Sequence, residues 1–184
     1  MIHQKIKVYD DIIPEYLQDY YELSCLGHGK DKILHPTVHF KCKYEPTAQE
    51  EQDPPLSFVH VLKSPAAGVS LHLENFSMIP NAVCAENGII MKDILLARLY
   101  ITVPHETTMT HYKAHVDLPT KHLVILYYIN DADGATIFYD NHGNVVKEVE
   151  PKKGRTVLFD GSILHGGGIP KKGPRCVANF DVYV

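Results

Sequence analysis

The chain has 184 residues, of which 45% are hydrophobic and 22% charged, and its formal net charge is −4. That length suits one domain with a sizeable core and is short for two. The negative charge argues against the basic face that non-specific nucleic-acid binding needs. No run approaches the ~20 apolar residues of a membrane span. We therefore expect neither a nucleic acid nor a membrane as partner.

The N-terminus and the cysteines indicate where the protein works. MIHQKIKVYDD has no apolar segment of the secretory type. The four cysteines are scattered and form no C-x-x-C pair, which suits free thiols better than a disulfide framework or a zinc knuckle. We expect an intracellular, cytoplasmic protein.

The first half of the chain predicts a mixture of short elements. IKVYDD predicts a strand, and PEYLQDYYELSCL predicts an amphipathic helix with Pro14 near its first turn. The polar, proline-marked stretch YEPTAQEEQDPP predicts a surface loop within an irregular region from Lys30 to Pro55. FVHVLK predicts another strand. One or two helices are expected between Leu71 and Asn87, ending at Asn87-Gly88.

From Asp93 onward the sequence predicts strands without intervening helices. The segments are short, rich in β-branched and aromatic residues, and separated by turn signals such as Asp133-Gly134 and Lys153-Gly154. They are ILLARLYITV, HYKAHVD, HLVILYYIN, ATIFYD, VVKEVE, RTVLFD, SILH and RCVANFDVYV. This pattern predicts a mainly β protein, an antiparallel sandwich or small barrel, with the N-terminal helices packed on one outer sheet face. Within these architectures we expect a double-stranded β-helix of the jelly-roll, cupin-like type. We expect a single domain over 1–184, in which 1–92 supports a core at 93–184 that carries the site.

Three side chains of this core form a candidate metal site. The period of a strand places His115 and Asp117 on one face. Far downstream, SILHGGG places His165 at a strand end, and a double-stranded β-helix can bring such distant strands together. Two imidazoles and one carboxylate leave other coordination positions open, as in non-haem Fe(II) oxygenases. A structural zinc site would instead be closed by four ligands, usually with cysteine.

The last strand carries a candidate anion anchor. The guanidinium of Arg175 can bind a carboxylate, such as that of a metal-chelating 2-oxo acid, through two parallel hydrogen bonds. Asn179 shares its strand parity and can add a hydrogen bond to the same carboxylate. Of Tyr127 and Tyr128 on the preceding strand, only one can face inward. Gly166, Gly167 and Gly168 are expected to permit positive φ and a close approach of the backbone.

These motifs together resemble a known family. H-V-D, the downstream L-H-G-G-G and Arg175 are similar to the 2-oxoglutarate/Fe(II)-dependent oxygenase superfamily. The order L-Y-Y-I-N, D-G-A-T-I-F-Y-D, V-E-P-K-K-G-R-T-V-L-F-D and R-C-V-A-N-F-D-V-Y-V resembles its prolyl 4-hydroxylase-like branch over roughly the last half of the chain. The compact length is similar to stand-alone microbial and viral members.

The resemblance implies roles for individual residues. His115, Asp117 and His165 would bind Fe(II), and Arg175 would pair with the C5 carboxylate of 2-oxoglutarate. Tyr128 matches the second tyrosine of the branch's Y-Y-L-N-like strand and would donate to that carboxylate. Tyr100 lies where a tyrosine often lines the cosubstrate pocket. The other histidines, among them His105, His111 and His122, are interpreted as surface groups or as groups that support the ligands, with His111 the strongest candidate for support.

The resemblance also implies an activity. We expect a dioxygenase that uses Fe(II), 2-oxoglutarate and O2 to hydroxylate a C–H bond of an amino-acid or peptidyl substrate, prolyl residues included, and that releases succinate and CO2. Two alternatives stay open at this point: a non-catalytic cupin-type binding module, and the same chemistry on another small metabolite. The partner is a small molecule or a peptide, and the oligomeric state is open. The segments 43–55 and 104–109 are candidate lids over the site.

Overall fold

The fold was obtained as a computed structural model, which describes residues 5–29, 32–33, 36–43 and 56–184. The strands are, in chain order, β1 (Lys7–Tyr9), β2 (His28–Gly29), β3 (Lys32–Ile33), β4 (Lys41–Lys43), β5 (Ser57–Ser64), β6 (Gly68–Val69), β7 (Asp93–Thr102), β8 (Leu123–Tyr128), β9 (Thr136–Tyr139), β10 (Val145–Val149), β11 (Thr156–Asp160), β12 (His165–Gly167) and β13 (Arg175–Tyr183). The helices are α1 (Glu15–Leu26), α2 (Leu73–Phe76) and α3 (Met78–Glu86). No helix in these ranges combines the length and the apolar character that crossing a membrane requires.

Two antiparallel sheets build the core. The major sheet has the order β1-β11-β8-β13-β7-β5-β4, with β6 paired to β5, and the minor sheet has the order β10-β9-β12. The central strands β11, β8, β13 and β7 of the major sheet, and β9 and β12 of the minor sheet, are neighbours that do not follow one another in the chain, which is the connectivity of a jelly roll. The predicted mainly β, double-stranded β-helix fold is confirmed.

Each face of the major sheet packs against a different layer. The alternation of a strand sends Tyr127 to one face and Tyr128 to the other, and both are fully buried. Tyr128 packs between the sheets with Phe138 of β9 and Val177 of β13. Tyr127 packs on the outer face with Tyr21 of α1, so the N-terminal helices cover that face as predicted.

Helix α1 has the predicted ends and a single buried face. Pro14 occupies the N-cap, and Gly27 closes the helix in the left-handed region at φ 74°, where its N–H donates to the Leu23 carbonyl. Gln18 and Tyr21 lie on the buried face, one helical turn apart. The Tyr21 ring stacks on Phe76 of α2 at 4.8 Å between centroids. The helix is therefore fixed to the sheet by aromatic packing.

Two predicted strands differ from the structure. HYKAHVD is not a strand: it touches β12 only through isolated bridges from His111 to Gly168 and from His115 to His165. SILH contributes only His165, because β12 begins there and continues into the glycines. The loop predicted at YEPTAQEEQDPP lies outside the described residues. The other predicted strands and helices of the described ranges are confirmed within a few residues.

An ion pair joins the end of β1 to the start of β11. Arg155 donates to Asp10 through Nε (2.7 Å to Oδ1) and Nη2 (3.0 Å to Oδ2), and Lys152 adds a contact of 3.0 Å. The hydrogen bond from Arg155 lowers the pKa of Asp10 to about 2, against a smaller opposing effect of burial. The carboxylate is more than one-third exposed, so solvent limits the contribution to about 1 kcal/mol or less.

We expect Asp10→Asn to lower the free energy of unfolding at pH 6, because the pair is lost. The depressed pKa makes the wild-type advantage fully present above about pH 4, the pKa of an unfolded aspartate, and makes it shrink as the pH falls towards 2. Urea unfolding of both proteins at pH 6, 4 and 3 measures this. Glu86→Gln, on an exposed site at the end of α3, is the control. A wild-type advantage that does not change from pH 6 to pH 3 would contradict the assignment.

Candidate functional site

A cavity of about 240 Å³ lies between the two sheets. Its lining brings together five residues that the sequence analysis selected far apart in the chain: His115, Asp117, His165, Arg175 and Asn179. The volume is below the about 300–1,000 Å³ of pockets for drug-sized ligands. The cavity therefore accommodates small molecules or one projecting group of a larger one.

The three candidate ligands converge at one point of this cavity. One donor atom from each of His115, Asp117 and His165 lies within 4.8 Å of the others. Asp117 Oδ2 is 3.4 Å from His165 Nε2, and its Oδ1 is 3.8 Å from His115 Nε2. The His165 side chain is buried, whereas that of His115 is half exposed. The site is thus closed on the His165 side and open on the His115 side.

The backbone holds the two histidines together. The N–H of His115 donates to the His165 carbonyl at 3.0 Å, and the N–H of His165 donates back to the His115 carbonyl at 3.0 Å. Reciprocal bonds of this kind define an antiparallel pair, which brings side chains of the two chains close together. The imidazole ring centroids are accordingly 4.9 Å apart.

Hydrogen bonds orient both imidazoles for metal binding. His115 Nδ1 is 3.0 Å from the Lys113 carbonyl oxygen, and His165 Nδ1 is 3.1 Å from the Ile163 carbonyl oxygen. A carbonyl oxygen only accepts, so each Nδ1 carries a proton, and Nε2, which lies near Asp117, is the ring nitrogen left to bind a metal. Metal-bound histidines make this outer hydrogen bond almost always. The donor set therefore fits a divalent metal ion with open coordination positions.

Asp117 is held ionised at this point. Burial disfavours its charged form, but the imidazoles of His165 and His115 and the amide of Asn179 outweigh burial and lower its pKa. Asn179 donates from Nδ2 to Asp117 Oδ2 at 3.2 Å. Asn179 was selected as a contact for a bound carboxylate. In the structure, the side-chain amide of Asn179 donates to the carboxylate of Asp117.

Arg175 lies at the opposite end of the cavity and is 4% exposed. Its Nε donates to the Gly134 carbonyl at 2.9 Å and its Nη2 to Thr136 Oγ1 at 2.8 Å. Both acceptors are neutral, so they fix the direction of the guanidinium without neutralising its charge. The Tyr128 ring lies beneath the guanidinium, 5.4 Å from centroid to Cζ.

The two selected tyrosines have different positions. Tyr100 lines the cavity, and its hydroxyl accepts a hydrogen bond of 2.9 Å from Arg98. Burial raises the pKa of Tyr100, so its hydroxyl keeps its proton. Tyr128 lies behind the lining, with its hydroxyl 2.6 Å from Thr136 Oγ1 and 3.0 Å from the Val149 carbonyl oxygen. Tyr128 contacts Arg175 through its ring, and its hydroxyl lies close to Thr136 and Val149.

The sequence did not predict a buried histidine–carboxyl pair that lies near the site. His122, interpreted above as a surface or supporting group, is 3% exposed, and its Nε2 lies 3.4 Å from Oδ1 of the fully buried Asp181. Burial and the nearby charge of Asp117 raise the pKa of Asp181. The sequence did offer a signal, because Asp181 has the same strand parity as Asn179. Arg98 was missed as well, although it shares the parity of Tyr100.

The glycines after His165 allow neighbouring backbone to approach β12 closely, but they do not adopt positive φ angles. Gly166, Gly167 and Gly168 have no positive φ, so that part of the prediction is wrong. A methyl group on Gly166 would lie 2.6 Å from the Tyr112 carbonyl oxygen, and Tyr112 N–H donates to the Gly167 carbonyl at 2.8 Å. The missing side chains therefore let the segment 111–115 lie against β12.

Two imidazoles and one carboxylate with open positions, held in a double-stranded β-helix, are the arrangement typical of mononuclear non-haem Fe(II) oxygenases. More specifically, residues 101–182 match the model of the 2OG-Fe(II) oxygenase superfamily, a stretch that contains the three candidate ligands and Arg175. The resemblance drawn from the sequence is confirmed over that range. This family implies Fe(II), 2-oxoglutarate and O2, and the donor set described above fits the metal.

Solved structures share the fold at low identity. A prolyl hydroxylase from Trichoplax adhaerens, in complex with a hypoxia inducible factor peptide fragment, superimposes with a TM-score of 0.65 at 12% identity, covering 97% of this chain and 83% of its own. A Pseudomonas putida prolyl-4-hydroxylase gives 0.65 at 12%, with 98% and 93% covered. The collagen prolyl hydroxylase of Paramecium Bursaria Chlorella virus-1, as its 2OG complex, gives 0.60 at 13%, with 97% and 95% covered. No curated protein sequence matches the chain.

We expect Gly166→Ala to destabilise the protein by about 1–3 kcal/mol, because the methyl group meets a backbone carbonyl that packing holds in place. The segment 111–115 would move away from β12, so metal affinity should fall as well. Thermal unfolding and calorimetric Mn(II) titration measure the two effects. Gly173→Ala is the matched control, since a methyl group there meets nothing within 4 Å. Equal behaviour of the two variants would refute the close-approach role.

Proposed function

We propose that this protein is a non-haem Fe(II)- and 2-oxoglutarate-dependent dioxygenase. It hydroxylates a C–H bond of an amino-acid or peptidyl substrate, prolyl residues included, and releases succinate and CO2. One observation carries the proposal: a cavity has an open three-donor site at one end and the unneutralised guanidinium of Arg175 at the other. A ligand that chelates a metal and ends in a carboxylate matches both ends.

The proposed roles follow from the positions of the side chains. His115 and His165 would bind Fe(II) through Nε2, and Asp117 through its carboxylate. When bound, Fe(II) supplies the redox chemistry that couples decarboxylation of the oxo acid to hydroxylation of the substrate. Arg175 would bind the C5 carboxylate, because its charge is free and its direction is fixed. Asn179 would orient Asp117, as partners of metal ligands do.

The tyrosines would support this arrangement in two ways. Tyr100 would line the cosubstrate pocket with a protonated hydroxyl. Tyr128 would act on Arg175 by holding the guanidinium against its ring. Its assignment as a direct donor to the cosubstrate stays a prediction, and the contacts of its hydroxyl with Thr136 and Val149 favour the indirect role.

The peptidyl alternative is supported by the solved relatives, since a prolyl hydroxylase of this fold has been seen with a peptide fragment. We also propose that residues 1–184 form one oxygenase domain. The cytoplasmic location stays a prediction from the sequence. Of the segments selected as lids, residues 44–55 lie outside the described residues. The segment at 104–109 has no regular secondary structure.

We expect Asp117→Ala to abolish decarboxylation of 2-oxoglutarate, because the metal loses a ligand and both imidazoles lose their charged partner. Release of CO2 from labelled 2-oxoglutarate under Fe(II) measures turnover, and anaerobic Mn(II) titration measures metal affinity. Glu86→Ala is the control for loss of a carboxylate elsewhere. Full turnover in the Asp117 variant would remove the metal assignment. A wild-type protein that binds metal but not 2-oxoglutarate would favour the non-catalytic cupin-type module.

Removing the guanidinium of Arg175 should act on cosubstrate affinity. We expect Arg175→Ala to weaken 2-oxoglutarate binding about 10- to 100-fold, the range that follows from losing hydrogen bonds to a charged group. Calorimetry on the Mn(II)-loaded protein measures this, and the metal affinity of the same sample reports on correct folding. Arg155→Ala, which removes an arginine outside the cavity, should leave the affinity at the wild-type value. Equal affinities in the two variants would contradict the anchor.

A further inference from the structure

The chain contains three arginines, and they fall into two groups. Arg155 lies outside the cavity and donates through two nitrogens to the carboxylate of Asp10. Arg98 and Arg175 both line the cavity, and the hydrogen bonds of their guanidinium groups go to neutral acceptors of the described residues. The cavity thus contains two guanidinium charges that the surrounding described residues do not neutralise by a direct ion pair. The proposed 2-oxoglutarate accounts for only one of them.

The strand register places the two guanidinium groups at different levels of the cavity. Arg175 pairs with Thr102, whereas Arg98 pairs with Asn179 across the same two strands. Four residues along β13 separate these levels, which is about 13 Å at the rise of an antiparallel strand. Asn179 touches Asp117, so Arg98 lies at the level of the metal site. A 2-oxoglutarate that extends from the metal to Arg175 leaves Arg98 uncovered.

Arg98 makes no direct ion pair in the part of the chain that the structure describes, although its charge acts at longer range to lower the pKa of the buried Asp181, against the larger raising effect of burial. Its Nη1 donates to the Tyr100 hydroxyl at 2.9 Å, and that hydroxyl is neutral. Asp181 is the nearest candidate on the same face of β13, but the nitrogen within 4 Å of its carboxylate belongs to His122. Asp117 is occupied by Asn179 and lies beside the imidazoles. The half-buried guanidinium therefore has donors left for a ligand.

The sum of the formal charges in the loaded site also indicates an anionic ligand at Arg98. Fe(II) contributes two positive charges, while Asp117 and doubly ionised 2-oxoglutarate contribute three negative ones. Arg175 brings this sum to zero. Arg98 adds one further positive charge at the level where a substrate must lie to react, and charges inside proteins are normally paired. A substrate with one negative charge would complete the balance.

We propose that Arg98 determines specificity by binding a carboxylate of the substrate, so that the molecule this enzyme hydroxylates is anionic near the reacting carbon. The inference rests on the proposed function, because it takes the metal and 2-oxoglutarate as bound. A guanidinium binds a carboxylate through two parallel hydrogen bonds and holds it in a fixed orientation. The carboxylate belongs either to a free amino acid or to an acidic residue of a peptide.

Acetate and its uncharged analogue acetamide test the binding site without knowledge of the substrate. The full chain is loaded with Zn(II) and saturated with 2-oxoglutarate, and the nitrogen-15 signals of Arg98 and Asn179 are followed by nuclear magnetic resonance. We expect acetate to shift the Arg98 side-chain signal saturably and acetamide to leave it in place. Failure of acetate to bind, or equal shifts with both compounds, would overturn the proposal.

Variants separate Arg98 from the metal and from the cosubstrate anchor. Arg98→Gln should raise the acetate Kd about tenfold or more, as expected for loss of a charged hydrogen bond, while Arg98→Lys should retain part of the affinity. Arg155→Gln is the matched control and should bind acetate as the wild type does. Undiminished acetate binding in Arg98→Gln would show that the anion binds the metal instead, which also overturns the proposal. Calorimetry with 2-oxoglutarate on the same samples distinguishes failure of the proposed function from failure of this inference. If 2-oxoglutarate does not bind, the proposed function is contradicted. If 2-oxoglutarate binds normally but acetate does not bind, only the Arg98 assignment is contradicted.

A turnover panel then identifies the source of the carboxylate. Succinate release is measured with free amino acids, with the same amino acids as amides, and with peptides that contain them beside acidic or neutral neighbours. Stimulation by free acids but not amides assigns a free amino acid, and stimulation by acidic peptides alone assigns a peptide side chain. In either case Arg98→Gln should remove the preference for the charged compound. Stimulation by neutral peptides alone would be evidence against the inference.

Discussion

The site depends on one pair of backbone hydrogen bonds, through which His115 and His165 each donate to the other's carbonyl at 3.0 Å. His165 is fixed by the pairing of β12 with β9. The segment that contains His115 has no regular strand of its own, so this pair of hydrogen bonds decides where the His115 imidazole lies relative to that of His165. Any side chain at position 166 would collide with the carbonyl oxygen of Tyr112, so β12 contains glycine there. Since Asp117 follows His115 by two residues, the same contact also places the carboxylate.

Strand β13 contributes polar side chains to the site and its surroundings. Its inward face presents Arg175, Asn179 and Asp181 at alternate positions, and β7 and β8 hold it on both edges. Because these residues share one strand parity, their side chains lie on one face of β13, where the proposed anion anchor Arg175 is followed by Asn179, the hydrogen-bond partner of Asp117, and by the buried Asp181. Neighbouring β7 adds Arg98 beside Asn179, so the guanidinium of Arg98 and the carboxylate of Asp117 lie at the same level of the cavity.

Much of this arrangement could be predicted from the sequence, because it follows from periodicity. Strand parity correctly separated Tyr127 from Tyr128 and placed Arg175 and Asn179 on one face. Parity did not predict that HYKAHVD would be irregular, since its two bridges depend on a tertiary contact with β12 that has no local signal. Tyr100 was selected through the family resemblance, and Arg98 shares its strand parity, but an arginine on a strand ordinarily indicates the solvent face.

The two ends of the cavity differ in how firmly the fold holds them. Arg175 begins a central strand that pairs with β7 from Arg175 onward and with β8 from Val177 onward, so its backbone is held by the major sheet. His115 is held to β12 by one isolated bridge and is half exposed, so small local openings can release it. An ion bound there can exchange with solution while the rest of the molecule stays folded. Under the proposed function, the metal would be lost and regained within the native state, while the proposed carboxylate site at Arg175 stays formed.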